Sequence, residues 1–121
     1  MELYHVRPKV YITRRIPFPA IDDIGRMCDV VVNTAEETPA REELIHQAAE
    51  ADAILCLVGD KIDRILIDAA PRLKIISTMS VGFEHIDVNC ATQKGIYVGY
   101  TPDVLTDATA DLMFALLLSA A

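Results

Sequence analysis

The segment Thr78-Met79-Ser80-Val81-Gly82-Phe83-Glu84-His85-Ile86-Asp87 holds the residue types in this chain best suited to chemistry. Small residues and a glycine run straight into a helix start. Successive backbone N–H groups in such a turn can converge on an anion, and a glycine lets the ligand come close. A small carboxylate is a natural guest of such a turn. The same residues also read as a tight strand-to-helix turn that holds no ligand, and both readings stay open at this level. His85 carries an imidazole, the side-chain type suited to moving a proton near neutral pH. No carboxylate is placed to orient it, so beside a helix start it reads as a hydrogen-bonded structural residue. His5, in the N-terminal tail, and His46, on a helix flank, carry no signal.

Other chemistries find less support. Cys28, Cys56 and Cys90 form no CxxC and have no neighbouring histidine, so no metal site and no disulfide framework is expected. Cys56 lies in an apolar run, where cysteine behaves as a small hydrophobe. Reduced thiols fit an intracellular, cytoplasmic protein, and the mixed polar N-terminus has no secretory pattern. The formal charge of −7, from 18 acidic against 11 basic residues, speaks against nucleic acid, whose phosphates need clustered cations. Arg14-Arg15 and Arg72 with Lys74 are the only basic groupings, and they read as solvated ends. The longest apolar stretch is too short to span a membrane.

The elements that must position this loop follow from periodicity. Hydrophobic residues make up 52% of the 121, with a mean hydropathy of +0.28, as in a sheet covered on both faces. Lys9 to Ile16 reads as a first strand, broken by Pro17 and Pro19, and Ala20, Ile21, Ile24, Met27 and Cys28 share a helical face. Val30 to Val32 is a second strand. Thr38 before Pro39 predicts an N-cap with proline in the first turn, opening a helix that buries Leu44, Ile45, Ala48 and Ala49. Ala53 to Val58, ending at Gly59, predicts a central parallel strand. Asp63 caps a short helix stapled by Ile62 and Ile67 and ended by Pro71. Leu73 to Ser77 is a fourth strand, Asp87 caps a helix that ends at Gly95, and Ile96 to Gly99 is a fifth strand. Thr106-Asp107 opens a last helix, for which Thr106 could serve as the cap.

Strand followed by helix, repeated five times, predicts an α/β fold: a flavodoxin-like, five-stranded parallel sheet of order 2-1-3-4-5 with helices on both faces. Ligands of such sheets lie at the carboxyl ends of the strands. The tips are Arg14-Arg15, Val58-Gly59-Asp60, Met79 to Glu84 and Tyr100 to Asp103. A phosphoryl-receiver domain would need an acidic pair after strand 1 and a lysine after strand 5, and of its three requirements only Asp60 is in place. A flavodoxin phosphate loop is replaced by Arg-Arg-Ile-Pro-Phe-Pro, and the five glycines form no GxGxxG.

The last helix, Leu112-Met113-Phe114-Ala115-Leu116-Leu117-Leu118, is apolar all round, which is the pattern of a helix buried on several sides. Nothing earlier in the chain is large enough to bury it. The sequence therefore reads as a piece of a longer protein.

Three strings, TMSVGFEHIDV (78–88), KGIYVGYTPDVLTDATADL (94–112) and, less specifically, VYITRRIP (10–17), resemble the N-terminal, substrate-binding domain of D-isomer-specific 2-hydroxyacid dehydrogenases. The likeness is strongest to the glyoxylate/hydroxypyruvate reductase branch, and it covers essentially the whole chain. It implies that residues 1–105 are a substrate-binding domain and that 106–121 start a crossover helix into a Rossmann domain that binds NAD or NADP. By the same likeness the Val81 and Gly82 amides hold the substrate carboxylate. Leu57, Val58 and Gly59 line the substrate's other side, and Thr106 lies near the nicotinamide. The family's phosphate turn, its Arg, its Glu and its acid His have no counterpart here, so no catalytic residue is assigned and the isolated chain is expected to turn over nothing. A small 2-oxo or 2-hydroxy acid as ligand and a homodimeric full-length protein are also implied. Asp111 stands where the family usually has Glu. The alternative is a free-standing flavodoxin-like ligand- or partner-binding module without catalysis.

Overall fold

The computed structural model describes residues 6–121; His5 lies outside them. Ten elements alternate: β1 (Lys9–Ile12), α1 (Phe18–Gly25), β2 (Asp29–Val32), α2 (Arg41–Glu50), β3 (Ala53–Cys56), α3 (Arg64–Asp68), β4 (Ile75–Thr78), α4 (Val88–Gln93), β5 (Tyr97–Gly99) and α5 (Thr106–Ala120). All four strand pairings are parallel, in the order β2-β1-β3-β4-β5, as the alternation predicts. The ladders are shorter than the apolar runs. β1 ends at Ile12 and β3 at Cys56, and the residues beyond them turn out to form the tips.

Side-chain alternation along the strands divides the interior into two cores. Tyr11, Ile54, Cys56 and Ile76 face one way and pack with Leu44 and Ala48 of α2, Leu66 and Ile67 of α3, and Cys90 and Ala91 of α4. Val10, Ile12 and Ile16 face the other way, with Ile21 and Ile24 of α1 and Leu55 and Leu57 of the β3 segment packed on them. The second face is only partly covered. Ile75 and Tyr97, register partners on β4 and β5, are 46% and 77% exposed there.

Caps explain most of the helix boundaries. Asp63 accepts from the Leu66 N–H and Asp87 from the Cys90 N–H, while Gly95 takes the left-handed conformation (φ +70°) just past α4. Two expected caps are corrected. α2 starts at Arg41 behind Ala40, with no side-chain cap, because the Thr38 hydroxyl is engaged by Arg14 Nη2 at 2.8 Å instead. Thr106 is the first residue of α5, behind Leu105, and does not cap it. α5 contributes to neither core, and its Leu112, Phe114 and Leu117 are all more than 60% exposed.

Candidate carboxylate-binding tips of beta3 and beta4

Parallel neighbours β3 and β4 bring their carboxyl ends side by side, since Cys56 pairs with Thr78. Past that register the two tips are stitched together: the Met79 N–H donates to Cys56 O, and a bridge joins Ile62 to Ile86 through Ile62 N–H to His85 O and Asp87 N–H to Ile62 O. The predicted site residues Leu57, Val58, Gly59, Val81 and Gly82 thus sit on adjacent loops along one edge of the sheet.

The β3 tip is built on charge. Asp60 is fully buried, and its carboxylate accepts from the Thr13 hydroxyl at 2.5 Å, from the Leu57 N–H at 2.8 Å and from Arg14 Nη2 at 3.3 Å. Arg14 also donates to Val58 O at 3.1 Å, and the Asp60 N–H returns to Leu57 O. A buried carboxylate is tolerated when it is paired and fully hydrogen-bonded. Arg14, read from sequence as a solvated end, is therefore a structural clamp with a side chain only 22% exposed. Arg72 is likewise paired, with Asp52 at 2.9 Å. Gly59 has φ +100°, a backbone region that side chains avoid, and a Cβ there would stand 3.4 Å from Arg14 Nη2.

The β4 tip is built on neutral groups. Thr78 Oγ1 lies 2.6 Å from Ser80 Oγ and 3.0 Å from His85 Nε2, and the Ser80 hydroxyl donates to Gly82 O at 2.7 Å. Ser80 O accepts from the Thr101 N–H, which ties the loop to the end of β5. Among the described residues, the N–H groups of Val81 and Gly82 donate to no other group of the chain. Val81 is exposed and Gly82 half-buried. Two consecutive amides directed at no internal acceptor are the elements of a carboxylate or oxyanion cradle. The exposed Glu84 carboxylate folds back against Gly82.

His85 is half-buried and bonded to a hydroxyl, in line with its structural reading. Cys56 lies between the two tips, with Sγ 3.8 Å from His85 Nε2. Burial pushes its thiol up to about 12, so it stays protonated at neutral pH. Among the described residues, no three His, Cys, Asp or Glu side chains gather as metal ligands. No helix there is long and apolar enough to cross a membrane.

Cavities divide the predicted residues. Val81 and Thr106 share an open cleft of about 450 Å³ with Leu105, Thr109, Ala110 and Met113. Leu57 lines a different one, of about 420 Å³, with Arg14, Arg15, Ile16, Pro17, Ala35 and Glu36. Asp60, Thr78 and Ser80 stood in the tips picked out from sequence but were given no role there, and Thr13 was not picked out at all. Asp60 and Arg14 are brought together by a long-range contact that local spacing does not announce.

Residues 10–115 match the family model described as D-isomer specific 2-hydroxyacid dehydrogenase, catalytic domain. A glyoxylate reductase of Thermofilum pendens is 54% identical over 114 residues, covering 93% of this chain and 34% of that protein. The crystal structure of the TT0316 protein of Thermus thermophilus superposes with a TM-score of 0.86 at 40% identity, over 93% of this chain and 36% of that one. The NADPH-dependent glyoxylate/hydroxypyruvate reductase of Sinorhizobium meliloti, solved with NADP and malonate, superposes with a TM-score of 0.69 at 28% identity, over 93% and 34%. The chain spans about one third of the length of these relatives. With the parallel sheet, the paired tips and these matches together, the chain belongs to the D-isomer-specific 2-hydroxyacid dehydrogenase family.

Proposed function

We propose that this chain is the substrate-binding portion of an NAD(P)-dependent 2-hydroxyacid dehydrogenase that reduces small 2-oxo acids, such as glyoxylate or hydroxypyruvate, to D-2-hydroxy acids. The observation that carries the reading is the pair of uncommitted amides at Val81 and Gly82, on a glycine loop at the carboxyl edge of the sheet. Their partial positive charges suit a carboxylate, which they would bind and orient without protonating it. Leu57, Val58 and Gly59, on the adjoining tip, would line the other side of the acid. Paired with Arg14, Asp60 adds little net charge beside that anion.

The nicotinamide cofactor supplies the hydride when bound. The residues present fit one end of it. Val81, Leu105, Ala110 and Met113 offer a mostly apolar wall, with the threonines Thr106 and Thr109 beside them, suited to a flat ring, whereas the five glycines provide no phosphate turn. In this reading residues 1–105 hold the acid, and 106–121 begin a helix leading into a cofactor domain. The exposed apolar face of α5 is then the surface that domain covers, and the full-length protein is a homodimer.

The test is the oxidation of NADH and NADPH by the full-length protein with glyoxylate and with hydroxypyruvate, beside the 121-residue chain alone. The expected result is turnover dependent on the 2-oxo acid in the former and none in the latter. A full-length protein that oxidises neither cofactor with any small 2-oxo acid overturns the reading and favours a binding module without catalysis.

A further inference from the structure

We infer that His85, through Thr78 and Ser80, is the positioning residue that holds the Val81-Gly82 amides in their anion-binding conformation; the inference rests on the function proposed above. Donor counting gives the chain a single direction. Gly82 O can only accept, so the one proton of the Ser80 hydroxyl is spent on it at 2.7 Å. The 2.6 Å contact between Ser80 and Thr78 must then use the Thr78 proton. Thr78 Oγ1, its own proton committed, can only accept from His85 Nε2 at 3.0 Å. His85 therefore carries its proton on Nε2, and the order is His85 Nε2–H to Thr78 O–H to Ser80 O–H to Gly82 O. Cys56 Sγ, 3.8 Å from the same nitrogen, is at most a weak second acceptor.

This chain of donors is what fixes the loop. Before it, Met79 N–H is held by Cys56 O and Ser80 O by the Thr101 N–H; after it, Phe83 O is held by the Ile86 N–H. Between those anchors, among the described residues, the hydrogen bond from Ser80 to Gly82 O is the one tether on Val81 and Gly82. Glycine has the widest backbone freedom of any residue, so an untethered Gly82 would turn its amide away from the guest for much of the time. Thr78 and Ser80 are buried, which keeps water from competing for the relay.

The experiment has two arms in the full-length protein. In the first, ¹⁵N-histidine NMR at a pH where His85 is neutral reads the tautomer. A protonated Nε2 with a bare Nδ1 is expected, and the opposite tautomer overturns the chain of donors whatever the protein's activity. In the second, steady-state kinetics with glyoxylate compares Ser80→Ala, Thr78→Val and His85→Leu with the conservative Thr78→Ser and His85→Gln. Loss of one link is expected to raise the glyoxylate KM about five- to tenfold, with the cofactor KM nearly unchanged and the thermal midpoint lowered by only a few degrees. Thr78→Ser and His85→Gln, which keep a donor in place, are expected to return it to within about twofold. An unchanged glyoxylate KM in Ser80→Ala and His85→Leu, or equal rises in both KM values, overturns the positioning role. Should His85→Leu fail to fold, Ser80→Ala and Thr78→Val decide the same point. A full-length protein inactive on every 2-oxo acid contradicts the functional reading instead, and the tautomer still decides the relay.

Discussion

The tips of β3 and β4 lie side by side at one edge of the sheet, yet they are stabilised by opposite means. Around Leu57 to Gly59 a buried carboxylate and a guanidinium take up backbone groups directly. Around Val81 and Gly82 two hydroxyls and an imidazole form a relay that, among the described residues, touches the backbone only at Gly82 O. The first arrangement is strong because an ion taken out of water must be fully partnered, and removing one partner leaves the others stranded. The second is weaker link by link, and it places no fixed charge on the loop that is to receive an anion. A charged clamp supports from beside the site, and a neutral one holds the site itself.

The largest expected effect comes from breaking the charged clamp. Asp60→Ala strands the Thr13 hydroxyl, the Leu57 N–H and the Arg14 guanidinium, and should cost about 3 kcal/mol of folding stability, read from urea denaturation. Ser80→Ala should cost only about 1.5 kcal/mol in the same measurement, because the two hydrogen bonds it removes join neutral groups. A cost for Ser80→Ala equal to that of Asp60→Ala would erase the distinction between the tips.

Acid should act on a second paired carboxylate, the α3 cap Asp63, three residues past Asp60. Burial works to raise the Asp63 carboxyl, but the Leu66 N–H and the Arg41 guanidinium outweigh it and hold it below the usual range. A carboxyl depressed in the folded state contributes stability above its unfolded value, near pH 4, and loses that contribution as pH falls through the folded value. The urea midpoint should therefore drop as pH falls below about 4. Asp63→Asn keeps a capping side chain and should flatten that fall, whereas Ser80→Ala should leave its slope unchanged.

The smallest effect is expected beneath the tips. The Tyr11 hydroxyl is buried with no hydrogen-bond partner among the described residues, and burial, with Glu43 and Asp60 nearby, holds its ionisation above the usual tyrosine range. Tyr11→Phe removes a desolvated group that has nothing to lose, so stability should change by less than about 0.5 kcal/mol or rise slightly. A loss above about 1 kcal/mol would mean that the hydroxyl has a partner after all.

What the sequence made legible is local. Strand and helix alternated clearly enough to yield the strand order, and Asp63, Asp87 and Gly95 marked their helix ends, because each of these signals lives within a few residues. Thr38 misled because its hydroxyl is claimed by Arg14, a partner far away in the chain. The Asp60 clamp was hidden for the same reason: Thr13 and Arg14 meet it only after β1 and β3 pair. Thr78, Ser80 and His85 all stood inside the conspicuous loop string. Their relay depends on side-chain directions that spacing does not encode. The apolar run of α5 was plain to read, and the structure leaves it on the surface.

The most direct test of the account is an amide NMR titration of the ¹⁵N-labelled full-length protein with glyoxylate, in the presence of oxidised nicotinamide cofactor so that no turnover occurs. The largest saturable shifts are expected at the N–H groups of Val81 and Gly82, with smaller ones at Val58 and Gly59. Saturable binding that leaves Val81 and Gly82 unmoved would contradict it.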